Sequence, residues 1–219
     1  MFNFRIHQEL ICAAEGSGQF YARVGAMIAS QGSFTAEKVL LDPNQNKSII
    51  NSVMNLAARK LTGENISIMK VSGEGTYYMA HNAEHISVIK LQQGQSIVVE
   101  GENLLAFTED CKYGVRFIGS GIISQKGMFT SKLTGIGPNA QVAITTNGNP
   151  LILETPCVVD PDAVICWTGP DPSFRADVNW KTFFGQTSGE SYFLEFNSPG
   201  EVVIVQPAER NSGVRISID

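Results

Sequence analysis

The residues with the clearest chemical potential are His81, Glu84 and His85, which spell H-x-x-E-H in "YYMAHNAEHISVIK". In enzymes that use this string the two histidines sit four apart on one helical face, so both imidazoles reach a single zinc ion while the glutamate acts on its water. That chemistry needs a helix. Here the string stands between "GTYYMA" and "ISVIK", both of which read as strands. In an extended segment residues 81 and 85 share a face but lie roughly 13 Å apart, too far to hold one ion directly. The flanks favour a solvated loop with two ordinary histidines, so no metal ligand is assigned. A metal-dependent hydrolase is the alternative if a turn draws the pair together. His7 is too distant in sequence to be placed as a third ligand.

Other candidates give way to plainer readings. "GIGPNA" (135–140) matches a dinucleotide-binding glycine pattern but opens into the strand-like "QVAITT", not into the helix whose N-terminus would hold a pyrophosphate. "IGSGI" around Ser120 is not a nucleophile elbow, and there is no phosphate-binding P-loop string. Glu100 with Glu102, and Asp160 with Asp162, sit beside glycine or proline at strand ends and read as edge and turn residues. Trp167, Phe174, Trp180, Phe183 and Phe184 form an aromatic group with only Arg175 and Lys181 nearby. Stacking on bases would want more cations, so a satellite core or a subunit interface is the better reading. No catalytic residue and no cofactor site is assigned.

Composition narrows the class. The chain has 219 residues, 43% hydrophobic and 17% charged, with a net charge of −5, which describes a mildly acidic globular protein able to bury a core without cross-links. Lysines and arginines are scattered, so nucleic acid is not favoured as a partner. The polar residues Arg5, His7, Gln8 and Glu9 interrupt what would be the apolar stretch of a secretory signal. No segment approaches the ~20 apolar residues of a membrane helix, so no membrane insertion is expected. Cys12, Cys111, Cys157 and Cys166 lack metal or redox spacing and read as reduced thiols in the cytoplasm. "NIS" at 65–67 matches a glycosylation acceptor, which has no meaning without export.

The elements that must position any site are almost all strands. Short runs such as "SIVVE", "VAITT", "SYFLEF" and "EVVIVQ" are bounded by Gly, Pro, Asn and Asp. The exception lies near residues 47–61, where Ile50, Val53, Met54, Ala57 and Leu61 recur at helical spacing, with Asn46 or Ser48 as cap. Two patterns alternate along the chain. A hairpin pattern with a glycine turn occurs at 62–80, 126–144 and 188–206, placing Gly75, Gly137 and Gly200 in equivalent turns. A strand, kink and strand occurs at 18–30, 94–107 and 148–160. Two units are continuous; the third would join 18–30 to 188–206, pairing the chain ends in a single domain over 1–219 and covering Tyr21, Met27 and Ile28.

"RVGAMIASQG" (23–32), "ARKLTGENISIMKVSGEGTYYMA" (58–80), "LQQGQSIVVEGENLLAF" (91–107) and "FGQTSGESYFLEFNSPGEVVIVQ" (184–206) resemble the altered-inheritance-of-mitochondria (twenty-four) family. The most specific parts are Gly25-Ala26-Met27, Leu61-Thr62-Gly63-Glu64 and Thr187-Ser188-Gly189-Glu190. The resemblance implies an all-β fold akin to the tryptophan RNA-binding attenuation protein, in a barrel-like or β-sandwich arrangement of double-stranded β-helix type, often assembled as a trimer. It implies no established activity and no catalytic residues. The segment 166–184 is longer and more aromatic than the family pattern. These observations lead to a non-enzymatic, self-assembling cytoplasmic β scaffold or binding module, a homotrimer by the resemblance. The alternatives are the hydrolase above and the binding of RNA or a small ligand by analogy of fold.

Overall fold

The computed structural model describes residues 1–39, 67–117, 129–175 and 193–208. The expected helix near residues 47–61 lies outside these. Within them the chain is all-β, and its one helical element is a 3₁₀ turn at Gly101–Asn103. No helix among the described residues is long and apolar enough to cross a membrane.

The first sheet contains β1 (Asn3–His7), β2 (Ile11–Arg23), β3 (Met27–Val39), β4 (Ile68–Met79), β5 (His85–Lys90), β7 (Leu104–Thr108) and β10 (Gln141–Thr146). Its order is β3-β4-β2-β7-β10-β5, with β1 paired to β2. β2 and β3 both run antiparallel to β4 over its whole length. Only Val24, Gly25 and Ala26 join them, yet Val24 N–H donates to Ser67 O (2.8 Å) before β4, and Ala80 N–H after β4 donates to Ala26 O (2.9 Å). A straight strand of twelve residues would hold those ends about 40 Å apart. β4 is therefore folded over on itself, and β2 and β3 with it.

A band of glycines makes the fold-over. Gly16, Gly75 and Gly32 stand side by side across the three strands, and Gly18 pairs with Gly73 in the neighbouring row. A Cβ on Gly75 would lie 2.0 Å from Gln31 O, and one on Gly32 would lie 2.1 Å from Glu74 O. Only glycine permits this approach. The folded strands enclose a core of Phe2, Phe4, Phe20, Val71, Tyr77 and Met79, with Phe34 packed against it. Rings meet edge to face, Phe2 with Phe20 at 4.9 Å and Phe20 with Tyr77 at 5.5 Å.

The second sheet has the order β11-β16-β13-β6-β9-β8. Its members are β6 (Ser96–Val99), β8 (Cys111–Phe117), β9 (Phe129–Gly135), β11 (Leu151–Glu154), β13 (Val164–Trp167) and β16 (Val202–Val205). β12 (Cys157–Val159), β14 (Ser173–Arg175) and β15 (Phe193–Phe196) make a third sheet. Strand alternation decides which side chain enters which layer. On β6, Ile97 and Val99 face the core shared with the first sheet while Val98 faces the third. On β10, Val142 and Ile144 point one way and Ala143 the other. β13 breaks alternation, since Ile165 and Cys166 both enter the middle core, and a register shift between Val164 and Cys166 accounts for it. The result is a sandwich-like stack of sheets, and none of the described sheets closes into a barrel.

Two expectations change. Gly137 and Gly200 lie in turns, but the strands flanking each belong to different sheets: β9 and β10, then β15 and β16. These are corners where the chain crosses layers, not hairpins. Gly75 lies in no turn, because β4 runs unbroken through it as a bend. Among the described strands, none near the N-terminus pairs with one near the C-terminus. Among the described strands β2 pairs with β1, β4 and β7, and β3 with β4, whereas β15 and β16 pair with β11 to β14. Met27 and Ile28 are 47% and 53% exposed, not covered by the C-terminal hairpin region.

Candidate functional site

The H-x-x-E-H string forms the link between β4 and β5. Glu84 N–H donates to His81 O at 2.8 Å, and Asn82 and Ala83 both take positive φ, 45° and 55°, which is a tight turn of the type that carries two left-handed central residues. No helix presents the two imidazoles together. His85 opens β5 opposite Thr146, so the zinc-hydrolase geometry is not formed. Among the described residues no group of three or more His, Cys, Asp or Glu side chains is placed to hold a metal ion.

The turn instead borders a polar cleft of about 250 Å³. Arg23 reaches it from the end of β2, His81 and Glu84 from the turn, Glu102 from the 3₁₀ turn, Asn147 from the end of β10, and Gln206 from the end of β16. Arg23 Nη1 donates to Glu102 O at 2.6 Å, which ties the end of β2 to the 3₁₀ turn. Asn103 Nδ2 donates to Thr145 O at 2.8 Å and fixes that turn to β10. Asn147 N–H donates to Gln206 Oε1 at 3.1 Å across the first and second sheets. Asn82 Nδ2 and His81 Nε2 lie 3.1 Å apart.

Several buried polar atoms beside the cleft lack a hydrogen-bond partner. Glu84 Oε2, His85 Nδ1, Thr145 Oγ1 and Gln206 Nε2 are buried atoms without a hydrogen-bond partner. Two of these, on Glu84 and Gln206, belong to residues that line the cleft. Burial pushes the His81 pKa below its ordinary value; Arg23 acts in the same direction, and Glu84 and Glu102 oppose it. His81 is therefore neutral near pH 7, leaving one guanidinium against two carboxylates.

The remaining sequence candidates, where described, occupy corner, turn and core positions. "GIGPNA" is the corner between β9 and β10, where Asp110 Oδ2 accepts from Asn139 N–H at 2.8 Å. Asp160 Oδ1 accepts from Asp162 N–H at 2.7 Å and closes a side-chain turn. Glu100 is buried while Glu102 faces the cleft, so the two do not act as a pair. Trp167 is fully buried against Phe196, with Phe174 packed on the same core; Ser120, Trp180, Phe183 and Phe184 lie outside the described residues. A smaller cleft of about 130 Å³ near Thr155 and Glu201 is internally bonded, Thr168 Oγ1 donating to Glu201 Oε2 at 2.5 Å. Arg23, Asn147 and Gln206 carried no signal in the sequence, because they are single polar residues at strand ends far apart along the chain.

The fold and the cleft define a layered all-β protein with no recognisable catalytic constellation among its described residues. A family profile described as mitochondrial biogenesis AIM24 matches residues 4–208, and the chain belongs to that family. Comparison with curated proteins gives no match. A crystal structure of a protein from Streptococcus pyogenes is similar in fold, with a TM-score of 0.66 and 16% identity, covering 95% of this chain and 94% of that one.

Proposed function

We propose that the protein is a non-enzymatic, self-associating β scaffold or binding module of a reducing cytoplasmic compartment, assembled as a homotrimer. The observation that carries this reading is the outer strand of the first sheet. β3 is thirteen residues long, pairs among the described strands only with β4, and is exposed or half-buried throughout, with Met27 and Ile28 open at its start. A long free edge with exposed apolar side chains is a template for pairing with another chain, and symmetric association covers it. β11 offers a second apolar edge at the end of the second sheet, where Leu151 and Ile152 are 56% and 64% exposed. All four cysteines are free, which suits a reducing compartment.

Multi-angle light scattering tests this reading. The wild type is expected at three times the 23.7 kDa chain mass, and Ile28→Lys, which puts a charge on an already exposed edge position, is expected to shift it toward monomer without unfolding it. A monomeric wild type at micromolar concentration would overturn the assembly reading.

A further inference from the structure

The link between β10 and β11 contains Asn147 followed by Gly148, and no other asparagine in the sequence precedes a glycine. We propose that Asn147 is a self-modification site, which deamidates in the folded protein through attack by the Gly148 backbone nitrogen. That chemistry makes three demands on the structure. The attacking nitrogen must carry a proton and be unengaged, the carboxamide must be free to swing onto it, and the following residue must have no side chain in the way.

All three are met. Asn147 and Gly148 are exposed in a loop. Among the described residues nothing accepts a hydrogen bond from Gly148 N–H, and nothing bonds the Asn147 carboxamide. The restraints stand on either side of the reacting peptide: Asn147 N–H donates to Gln206 Oε1 at 3.1 Å, and Thr146 Oγ1 donates to Gly148 O at 2.7 Å. Other asparagines fail a demand. Asn149 precedes Pro150, whose nitrogen has no proton. Asn139 has its carboxamide held at both ends, Nδ2 donating to Phe2 O at 2.6 Å and Oδ1 accepting from Gln141 Nε2 at 3.0 Å. The fold also resists losing the labile pair. Gly148 has a φ of 88°, and a Cβ there would lie 3.0 Å from Pro207 Cγ, so this corner requires glycine.

In the reaction the Gly148 nitrogen bonds to Asn147 Cγ, the Cγ–Nδ2 bond breaks, and ammonia leaves with the proton from the Gly148 nitrogen. Water then adds to either carbonyl of the resulting cyclic imide, and the ring nitrogen takes up a proton. Opening at Cγ gives aspartate. Opening at the main-chain carbonyl gives isoaspartate, whose main chain runs through the former side chain and is longer by a methylene. The balance is a water consumed and an ammonia released, with no redox change. Either product adds a carboxylate to a rim that already carries Glu84 and Glu102. The longer chain falls where the Gln206 bond and the Pro207 contact join the end of β10 to the end of β16. Because the change accumulates with time, it marks the age of a chain at a junction between sheets.

Incubation of the full chain at pH 8 and 37 °C, followed by peptide mapping with isoaspartate-specific methyl labelling, tests this. The tryptic peptide 133–175 is expected to gain mass as amide is replaced by acid, with the label at position 147. The rate in the folded protein should lie within an order of magnitude of that in urea. Asn147→Gln, which keeps a carboxamide but would have to close a larger ring, should abolish the conversion and leave the melting temperature unchanged. Conversion at 147 confined to the unfolded chain, or no faster in the folded protein than at Asn139 and Asn197, would overturn the proposal. The comparison within the wild type decides the matter even if the variant does not fold.

Discussion

Cys12, Cys111 and Cys166 are at most 1% exposed, and burial pushes each thiol up, Cys12 to about 12 and Cys111 to about 11. Cys157 is half-buried and shifted upward by the same cause. Because the thiolate is the reactive form, a disulfide reagent at pH 8 is expected to modify one thiol per folded chain, at Cys157, and four after denaturation. Two or more rapid modifications of the folded protein would mean that a core opens locally. The reduced thiols were legible from spacing alone. The H-x-x-E-H string was legible as a connection and not a helix because strands flank it, but the tight turn it forms in place of a solvated loop, and the cleft it borders, were not. That cleft depends on where Gln206 and Arg23 land in space, and no local pattern encodes this.

At the scale of elements, the glycine band is the part of the architecture most sensitive to substitution. Gly200 has a φ of 81° with nothing within 4 Å of an added Cβ, so Gly200→Ala should cost only backbone strain, about 1–2 kcal/mol. Gly75→Ala combines a φ of 120° with a contact of 2.0 Å to backbone oxygen, which no rotamer relieves. It is expected to exceed about 3 kcal/mol or prevent folding. Urea midpoints of the two variants check the difference, and equal midpoints would show that the fold-over relaxes freely. Strand identity was readable from β-branched runs and turn residues. The partner of each strand was not: glycine at 75 reads as a turn locally, and only its neighbours Gly16 and Gly32 turn it into a bend.

For the whole molecule, the order of strands in the second sheet matters more than their order in sequence. β16 lies between β11 and β13, although it is the last described strand. Ending the chain at residue 187 removes Leu194, Phe196, Val203, Ile204 and Val205, all buried. At about 1.5–3 kcal/mol each, this loss is comparable with a domain's stability of about 5–15 kcal/mol. The truncated protein is expected to show no cooperative thermal transition, as read by circular dichroism. A sharp transition would show that the first sheet and its core stand alone. The layered, all-β character was legible in the alternating patterns and in the family resemblance. Which patterns share a layer was not, because the chain changes sheets at corners that resemble hairpin turns.

The central place of β16 also bears on how the protein is made. During synthesis β11 and β13 emerge long before the strand that separates and satisfies both, so the nascent chain carries their two unpaired edges while the ribosome completes about forty further residues at ~5–20 per second. For several seconds the half-built sheet is open to neighbouring polypeptides, and yield on expression should therefore depend on holdase supply and translation rate more than on the equilibrium stability of the finished chain.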